Sequence, residues 1–403
     1  MGLDVEFAAR KRIAEAFNNF EKVCVSFSAG KDSTTMLHLV MQEAIKRDRR
    51  VGVLLIDLEA QYECTIDCAL QMFKTYRSHI DPYWVALPIH LRNAVSVFEP
   101  FWKCWDQRKK EFWVRKPPKI AITSRKYFPF FQDGMEFEEF VPEFAEWYSD
   151  GVATAFFVGI RTQESYSRYL SVASEAKVTF QGSCYTTGVC ENSDSFNYYP
   201  LYDWKTEDIW RFHARHKKLK YNKLYDLMYL AGVPLANQRI CQPYGDDQKR
   251  GLWLFHLIEP KTWCKVVARV NGANYGSLFT KEHGNVNGYR QVIKPNHLTW
   301  REFACLLVSS MPNPSRDHYA DKICIFAKCW ETRGYPAGIP DEGPFELEAA
   351  KRIPSWRRIC KTLLQNDYWC RNLGFTQEKS NVYKDYLSSK RQAKKKAPTS
   401  GAH

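Results

Sequence analysis

Apolar runs of strand length alternate with segments of helical spacing through the first 160 residues. Runs at 23–27, 51–57, 83–88 and 153–161 predict four short strands. The segment 65–76 between two of these runs predicts a helix. Strands that alternate with helices are typical of an α/β fold, so we expect a doubly wound, Rossmann-like parallel sheet.

The segment at the end of the first predicted strand is the most informative part of the chain. Residues 23–33 read VCVSFSAGKDS: a strand, a turn of small residues, and a helix start at Lys31. A helix start offers free N–H groups and the positive end of a dipole, and small residues let both approach an anion. This favours a nucleotide phosphate site over an ordinary capped turn, although it is not a Walker A loop. The residues expected to hold the phosphates are Ser26, Ser28, Ala29, Gly30, Lys31, Asp32 and Ser33.

Polar residues also follow two other predicted strands. In parallel sheets, ligands bind at the carboxyl ends of the strands, so these residues are candidates for the same site. Arg161 and Arg168 lie seven residues apart and would share one side of a helix, with planar donors for phosphate. Taken alone, that fragment would be an ordinary surface helix. The further candidate residues are Asp57, Leu58, Glu59, Gly159, Arg161, Glu164 and Arg168.

Two of these motifs and a third segment resemble one protein family. The loop at 26–33 resembles the Ser-Gly-Gly-Lys-Asp-Ser PP-loop of the ATP pyrophosphatase superfamily, with Ala29 in place of the first glycine. The segment 200–210, PLYDWKTEDIW, resembles a helix start of the phosphoadenosine phosphosulfate (PAPS) reductase branch, with Thr206 as the expected N-cap. The runs at 57–62 and 354–361 resemble a subfamily that includes the immunoglobulin-binding regulator A proteins and carries a C-terminal domain of unknown function.

The resemblance implies a fold, a substrate and a reaction. It implies an adenine nucleotide α-hydrolase fold that binds ATP and cleaves it between the α- and β-phosphates. AMP would pass to a nucleic acid, a partner protein or water. Lys31, Asp32 and Arg161 would be catalytic, Asp32 would hold Mg²⁺, and Asp57 with the loop after it would hold the adenosine. The resemblance also implies a ParB/sulfiredoxin-like partner and a role in nucleic-acid modification or phage defence.

The chain departs from the PAPS reductases at its C-terminal end. Those enzymes carry Glu-Cys-Gly-Leu/Ile-His, whose cysteine attacks sulfur, and this run does not occur here. Cys360 and Cys370 lie in other contexts, although flanking bases are expected to lower a thiol pKa. PAPS is therefore an alternative ligand, but its reduction is disfavoured. A nucleotide-sensing regulator of gene expression without turnover is the other alternative.

Composition divides the 403 residues into three parts. Residues 1–250 carry the motifs, with an insertion at about 93–142 that is dense in Trp, Phe, Lys and Pro. Residues 251–387 predict a mostly helical domain, and 388–403 predict a disordered basic tail. The insertion has two readings: a surface that stacks bases and pairs with phosphates, or a packed cap with extended Lys and Arg stems.

Charge, cysteine content and hydropathy limit partners and location. A net charge of +13 favours a nucleic acid or another acidic partner. The thirteen cysteines form no CxxC pair, and Cys184 with Cys190 is the pair to test for Zn or an Fe–S cluster, which the spacing disfavours. The chain lacks both a run of ~18 apolar residues and a signal peptide at residues 1–20, so a cytoplasmic, non-membrane protein is expected.

Overall fold

The structure is a computed structural model, and it describes residues 4–174, 176–189, 194–240, 244–246, 251–274 and 292–396. The chain divides into two compact units. Unit 1 comprises Met1–Ile89 and Cys104–Cys241, and unit 2 comprises His90–Lys103 and Gln242–His403. The domain boundary at residue 250 stays a prediction. Among the described residues, no helix is both long and apolar enough to cross a membrane.

Eight strands and fourteen α-helices are described. The strands are β1 (Lys22–Ser26), β2 (Val51–Ile56), β3 (Ile80–Val85), β4 (His90–Arg92), β5 (Phe101–Lys103), β6 (Thr154–Val158), β7 (Thr186–Gly188) and β8 (Phe196–Tyr198). The helices are α1 (Val5–Asn19), α2 (Lys31–Lys46), α3 (Glu63–Thr75), α4 (Phe137–Ser149), α5 (Tyr166–Ala173), α6 (Thr206–Arg215), α7 (Leu224–Leu230), α8 (Leu252–Ile258), α9 (Pro260–Arg269), α10 (Trp300–Ser309), α11 (Asn313–Glu331), α12 (Phe345–Ala349), α13 (Trp356–Leu364) and α14 (Asn381–Lys396). Short 3₁₀ turns lie at Gln107–Phe112, Arg125–Tyr127, Thr162–Glu164, Leu235–Asn237 and Arg371–Leu373.

Unit 1 is built on a six-stranded sheet in the order β3-β2-β1-β6-β8-β7. All neighbours are parallel except β7 and β8, which are antiparallel. The chain winds outward from β1 to β3 on one side and continues from β6 on the other, so the strand order reverses between β1 and β6. Open α/β sheets bind ligands at such a switch point. The predicted α/β fold class is confirmed.

The central strands form because their residues are apolar on both faces. All six residues of β2 are buried, as are Val23, Cys24 and Val25 in β1. The third strand was predicted at 83–88 but lies at Ile80–Val85, paired residue by residue with β2. Pro82 is tolerated in it because β3 is an edge strand. β7 and β8 are three residues each, which is too short to produce a recognisable pattern.

The predicted insertion is split between the two units. Residues 90–103 form the β4–β5 hairpin of unit 2. Residues 104–149 belong to unit 1 and pack an aromatic cluster in which Phe128, Phe140 and Phe144 are almost fully buried. The burial of these rings agrees with the interpretation of the insertion as a packed cap, whereas several of the basic residues before them are exposed.

Unit 2 is mainly helical, as predicted. Its core includes Trp300, Tyr319, Phe326, Ile359 and Leu363, contributed by α10, α11 and α13. The end of the chain differs from the expectation of a disordered tail over 388–403. Helix α14 continues to Lys396, and residues 397–403 lie outside the described part of the chain.

Candidate functional site

The loop between β1 and α2 makes its turn at Ala29. Ala29 has a φ of +55°, in the left-handed region that favours glycine. That conformation costs an L-residue about 1–2 kcal/mol, which explains why glycine is usual at this position in PP-loops. The Nδ2 of Asn222 donates to the carbonyl of Ala29 at 3.1 Å and holds the turn. Gly30 then forms the N-cap of α2.

Two predicted phosphate ligands bond to each other within this loop. The Oγ atoms of Ser28 and Ser33 are 3.0 Å apart, and the Ser28 N–H donates to the Ser33 Oγ at 3.2 Å. The N–H of Lys31 donates to the hydroxyl of Tyr225 at 2.8 Å. The loop is therefore closed around its own polar groups, and Tyr225 is a site residue that the sequence did not identify.

Lys31, Asp32 and Arg161 form a compact charged group, which we call the loop cluster. Asp32 accepts from the Nε of Arg161 at 2.5 Å, and its other oxygen is 3.3 Å from the Lys31 Nζ. The exposed fractions of the three side chains are 6%, 15% and 3% for Lys31, Asp32 and Arg161. Two cations and one carboxylate leave one positive charge in excess at a helix N-terminus. This arrangement attracts an anion.

The end of β6 approaches the loop closely because residue 159 is glycine. A Cβ at Gly159 would lie 3.1 Å from the backbone nitrogen of Ser33. This approach brings Arg161, two residues later, to Asp32. The Nη1 of Arg161 also donates to the Oγ1 of Thr206 at 3.4 Å. Thr206 is the first residue of α6, not its N-cap as predicted, because Lys205 occupies that position.

Arg168 does not share the environment of Arg161. A 3₁₀ turn at Thr162–Glu164 is followed by extended backbone at Ser165, so residues 161–168 are not one helix. The seven-residue spacing therefore does not put both arginines on one side, and that prediction was wrong. The Arg168 side chain is 44% exposed, with its Nε 3.7 Å from Glu164.

The carboxylates after β2 bind the insertion. Asp57 is fully buried and accepts from the Glu59 N–H at 3.0 Å, the Trp84 Nε1 at 2.8 Å and the Arg115 guanidinium. Glu59 accepts from the N–H of Trp105 at 2.6 Å. We call Asp57, Glu59 and Arg115 the anchor network. Its carboxylates hold residues 105–115 against the sheet, and the predicted contact of Asp57, Leu58 and Glu59 with a nucleotide stays a prediction.

The residues proposed for metals do not form a metal site as placed. Both oxygens of Asp32 already face a cation, so the carboxylate does not fit Mg²⁺ in this arrangement. Cys184 is exposed, and Cys190 lies outside the described residues. Across the described ranges, no group of three or more His, Cys, Asp or Glu side chains could hold a metal ion.

The two C-terminal cysteines are not activated thiols. Cys360 and Cys370 are completely buried in unit 2. Burial raises the pKa of Cys360 to about 12 and the pKa of Cys370 to about 12. The expectation that flanking bases lower a thiol pKa was therefore wrong, because desolvation of the thiolate outweighs them.

A cavity of 440 Å³ lies beside the carboxyl end of β6. Its volume is in the range of small-molecule sites. Asp203, on its wall, accepts two bonds from Arg12, and Trp204 is buried, as expected for structural residues. The sequence predicted ligand-binding residues at this strand end but did not identify Tyr169 or Lys205 as part of the site. The lining residues are Thr162, Gln163, Ser165, Tyr169, Asp203, Trp204 and Lys205.

Two buried histidines, His213 on α6 and His38 on α2 itself, tie helix α2 to its neighbours. The Nε2 of His213, on α6, lies 3.0 Å from the Oγ1 of Thr35 on α2. Burial lowers the pKa of His213 to about 4, with smaller contributions from His38 and His216. Burial also lowers the pKa of His38, whose ring nitrogens bond to Tyr76 and to the carbonyl of Lys220. Neutral imidazoles therefore support the helix that carries the loop.

Solved structures of other proteins show only a distant likeness. PAPS reductase from Candida auris, a phosphate complex, is 14% identical with a TM-score of 0.33, over 61% of this chain and 98% of that one. Candida glabrata FMN adenylyltransferase with FMN and AMPCPP is 13% identical with a TM-score of 0.33, over 55% of this chain and 58% of that one. At these identities and scores the likeness carries no information on substrate or activity.

Sequence comparison is more decisive. The uncharacterized protein YbdN of Escherichia coli K12 is 44% identical over 394 residues, which cover 97% of this chain and 96% of YbdN. A domain of unknown function (DUF3440) matches residues 232–342 and 336–384. The phosphoadenosine phosphosulfate reductase domain matches residues 22–231, the range that contains the loop cluster and the whole sheet of unit 1. The chain therefore belongs to the phosphoadenosine phosphosulfate reductase domain family.

Proposed function

We propose that this protein binds ATP at the loop cluster and cleaves it between the α- and β-phosphates. The AMP passes to an acceptor or to water. The observation that carries the proposal is the excess positive charge of Lys31, Asp32 and Arg161, largely shielded from solvent at the N-terminus of α2 and at the switch point of the sheet. A polyphosphate is an anion of the size and charge that such a site attracts.

The loop supplies the phosphate contacts. The Lys31 ammonium is a compact point charge that contacts Asp32, the carbonyl of Gln238 and the face of the Tyr225 ring. The hydroxyls of Ser28 and Ser33 donate to phosphate oxygens when the bond between them opens. The first N–H groups of α2 add further donors, because a helix leaves them outside its own bonding.

Arg161 acts on the reacting phosphorus. An acceptor oxygen bonds to the α-phosphorus, the bond to the bridging oxygen breaks, and pyrophosphate leaves with the electron pair. Negative charge develops on the α-phosphate oxygens, where the planar guanidinium of Arg161 donates. Asp32 and Thr206 fix that guanidinium in advance, so Asp32 is a positioning residue. The proton of the acceptor passes to water.

The test uses ATP labelled at the α-phosphate. The full chain is incubated with Mg²⁺, alone and with DNA, tRNA or cell extract, and AMP, ADP and labelled macromolecule are separated. We expect Lys31→Ala to lower pyrophosphate release at least about a hundredfold, the magnitude seen when one charge-stabilising group is removed. Lys46→Ala is the matched control, because Lys46 ends the same helix with a side chain that is 77% exposed.

The other outcomes separate the competing functions. Pyrophosphate release by Lys31→Ala at the parent rate overturns the role of the loop. Tight ATP binding without product favours a nucleotide-sensing regulator. Thioredoxin-dependent sulfite release from PAPS favours a reductase, against the raised pKa values of Cys360 and Cys370. The ParB/sulfiredoxin-like partner and the role in phage defence stay predictions.

A further inference from the structure

The segment 107–127 is a strongly basic surface of unit 1, with Arg108 paired to Asp106 and Arg125 to Asp133 just outside it. It contains eight basic residues and one acidic residue, Glu111. Arg115 turns inward to Asp57 in the anchor network. The other seven basic residues are exposed, and they are Arg108, Lys109, Lys110, Lys116, Lys119, Arg125 and Lys126. We call residues 107–127 the basic segment.

Two contacts fix the basic segment at the sheet edge that carries the loop cluster. Arg115 binds Asp57 directly after β2, and Ile122 forms a bridge with Val85 at the end of β3. β3, β2 and β1 are adjacent parallel strands, so their carboxyl ends share one edge. Neighbouring strands lie about 4.8 Å apart, which puts the end of β3 only about 10 Å from the end of β1 across the sheet.

Exposed aromatic rings lie among these cations. Phe112 is 51% exposed and Tyr127 is 47% exposed, whereas Trp105 and Phe128 on either side are buried. Tyr127 still contacts the rings of Phe128 and Trp147, with centroids 4.8 and 6.1 Å apart, so Phe112 is the better candidate for stacking on a base. Cations that track a backbone beside rings that stack bases are the chemistry of single-stranded nucleic-acid binding, because unpaired bases offer free faces.

We propose that the basic segment binds single-stranded nucleic acid and presents it to the loop cluster as the acceptor. Binding rests on the charge and exposure of the segment, and the acceptor step rests on the proposed function. In that step an oxygen of the strand bonds to the α-phosphorus of ATP, the bond to the bridging oxygen breaks, and pyrophosphate leaves. The strand carries AMP, and the proton of the attacking oxygen passes to water.

The binding test uses fluorescent 20-nucleotide DNA and RNA strands and their duplexes, with polarisation measured from 50 to 200 mM salt. The test variant is Lys109→Gln/Lys116→Gln/Lys119→Gln. The matched control is Lys217→Gln/Lys218→Gln/Lys220→Gln, three exposed lysines after α6 in the same unit. We expect the test variant to bind single strands at least about tenfold more weakly and to lower the salt slope by about 2, since each phosphate contact contributes about 0.7. The control should bind as the parent does.

A single-ring variant tests the stacking part. Phe112→Ala should weaken single-strand binding about fivefold or more and leave duplex binding nearly unchanged, because paired bases cannot stack on the ring. Equal loss for duplex and single strand overturns the single-strand preference. Equal loss in the test and control lysine variants, or no binding by the parent at 50 mM salt, overturns the surface.

Lys31→Ala distinguishes this inference from the proposed function. It should bind the strands as the parent does and transfer no label. Parent protein that binds strands through the basic segment yet releases no pyrophosphate overturns the reaction and leaves the binding surface intact. Pyrophosphate release that depends on Lys31, with label only in AMP when saturating DNA or RNA strands are present, overturns the acceptor step alone.

Discussion

Two aspartates follow adjacent strands of the same sheet, one partly buried and one fully buried, and each accepts a bond from an arginine. Asp32, after β1, lies with Lys31 and Arg161 in a group that carries one excess positive charge. Asp57, after β2, accepts from Arg115 and from the backbone N–H of Glu59, in a network that also holds the insertion. The first group has two cations beside one carboxylate and attracts an anion, whereas the acceptors of the second group are occupied by donors from the insertion and the sheet.

The difference separates a ligand site from a structural one. The loop cluster holds its excess charge at a helix N-terminus, which adds further positive potential. The carboxylates of the anchor network accept from N–H groups of Trp84 and Trp105, and these bonds join the insertion to the sheet. A carboxylate at a strand end is therefore informative about ligands only together with the charges and donors around it.

The largest expected effect comes from breaking the anchor network. Asp57→Asn leaves the largely buried guanidinium of Arg115 beside a neutral amide, which should cost about 3 kcal/mol, at the lower end for a broken buried pair. In urea unfolding, the free energy of unfolding should be lower than that of the parent by this amount. Added pyrophosphate should still stabilise the variant, because the loop cluster is unchanged.

Asp81→Asn is the matched control for that experiment. Asp81 pairs with Arg50 on the surface, where both side chains are about half exposed, and removal of such a pair costs about 1 kcal/mol or less. If Asp57→Asn unfolds like the control, or loses its response to pyrophosphate, then the two carboxylates do not differ in the way proposed.

A second prediction concerns the helix that carries Asp32. The pKa of His213 is about 4 in the folded protein and near its ordinary value of about 6.5 in the unfolded chain. The unfolded state therefore binds the proton more tightly, and stability is lost as the pH falls from 6.5 towards 4. At about 1.4 kcal/mol per pH unit, the loss reaches about 2 kcal/mol at pH 5.

Urea unfolding at pH 7 and pH 5 measures this loss. His213→Gln keeps a polar group near Thr35 and removes the titration, so its stability should fall about 2 kcal/mol less than that of the parent. His297→Gln, at an exposed position, should follow the parent. The same decline in both variants would show that His213 does not link pH to the stability of this region.

The smallest expected effect tests how closely the two strand ends must approach. Gly159→Ala sets a Cβ 3.1 Å from the Ser33 nitrogen, so the chain must shift by a few tenths of an ångström. We expect a loss of about 1 kcal/mol in stability and a several-fold fall in pyrophosphate release, because Arg161 moves relative to the loop. Gly188→Ala, whose Cβ would make an ordinary 3.4 Å contact, should change neither measurement.

Local patterns predicted the parts of the site that one segment contains. The strand, turn and helix start at 23–33 were identified because their residues are neighbours in sequence. The donors to Asp57 were not, because Trp84, Trp105 and Arg115 lie 27, 48 and 58 residues away. Tyr225 and Gln238, which bond to Lys31, are 194 and 207 residues away. Such pairings depend on the folded sheet and leave no periodic signal.

Two further differences have local causes. The break at Ser165 separates Arg161 from Arg168, because this residue caps α5 with its own side chain instead of continuing the preceding turn. Cys360 and Cys370 lie among bases in the sequence, but the core of unit 2 excludes water from both thiols. In the first case the backbone conformation overturns a predicted helix face, and in the second case burial overturns a predicted shift in pKa.

The torsion angle at Ala29 sets limits on how this loop can vary among related chains. At φ = +55° the position accepts glycine readily and asparagine or aspartate at a cost, and it excludes β-branched residues. Because Ala29 is also completely buried, large side chains are excluded as well. Backbone geometry and burial therefore both restrict which residues this position accepts. Related loops are therefore better recognised by any residue that tolerates a positive φ at position 29 than by the presence of glycine there.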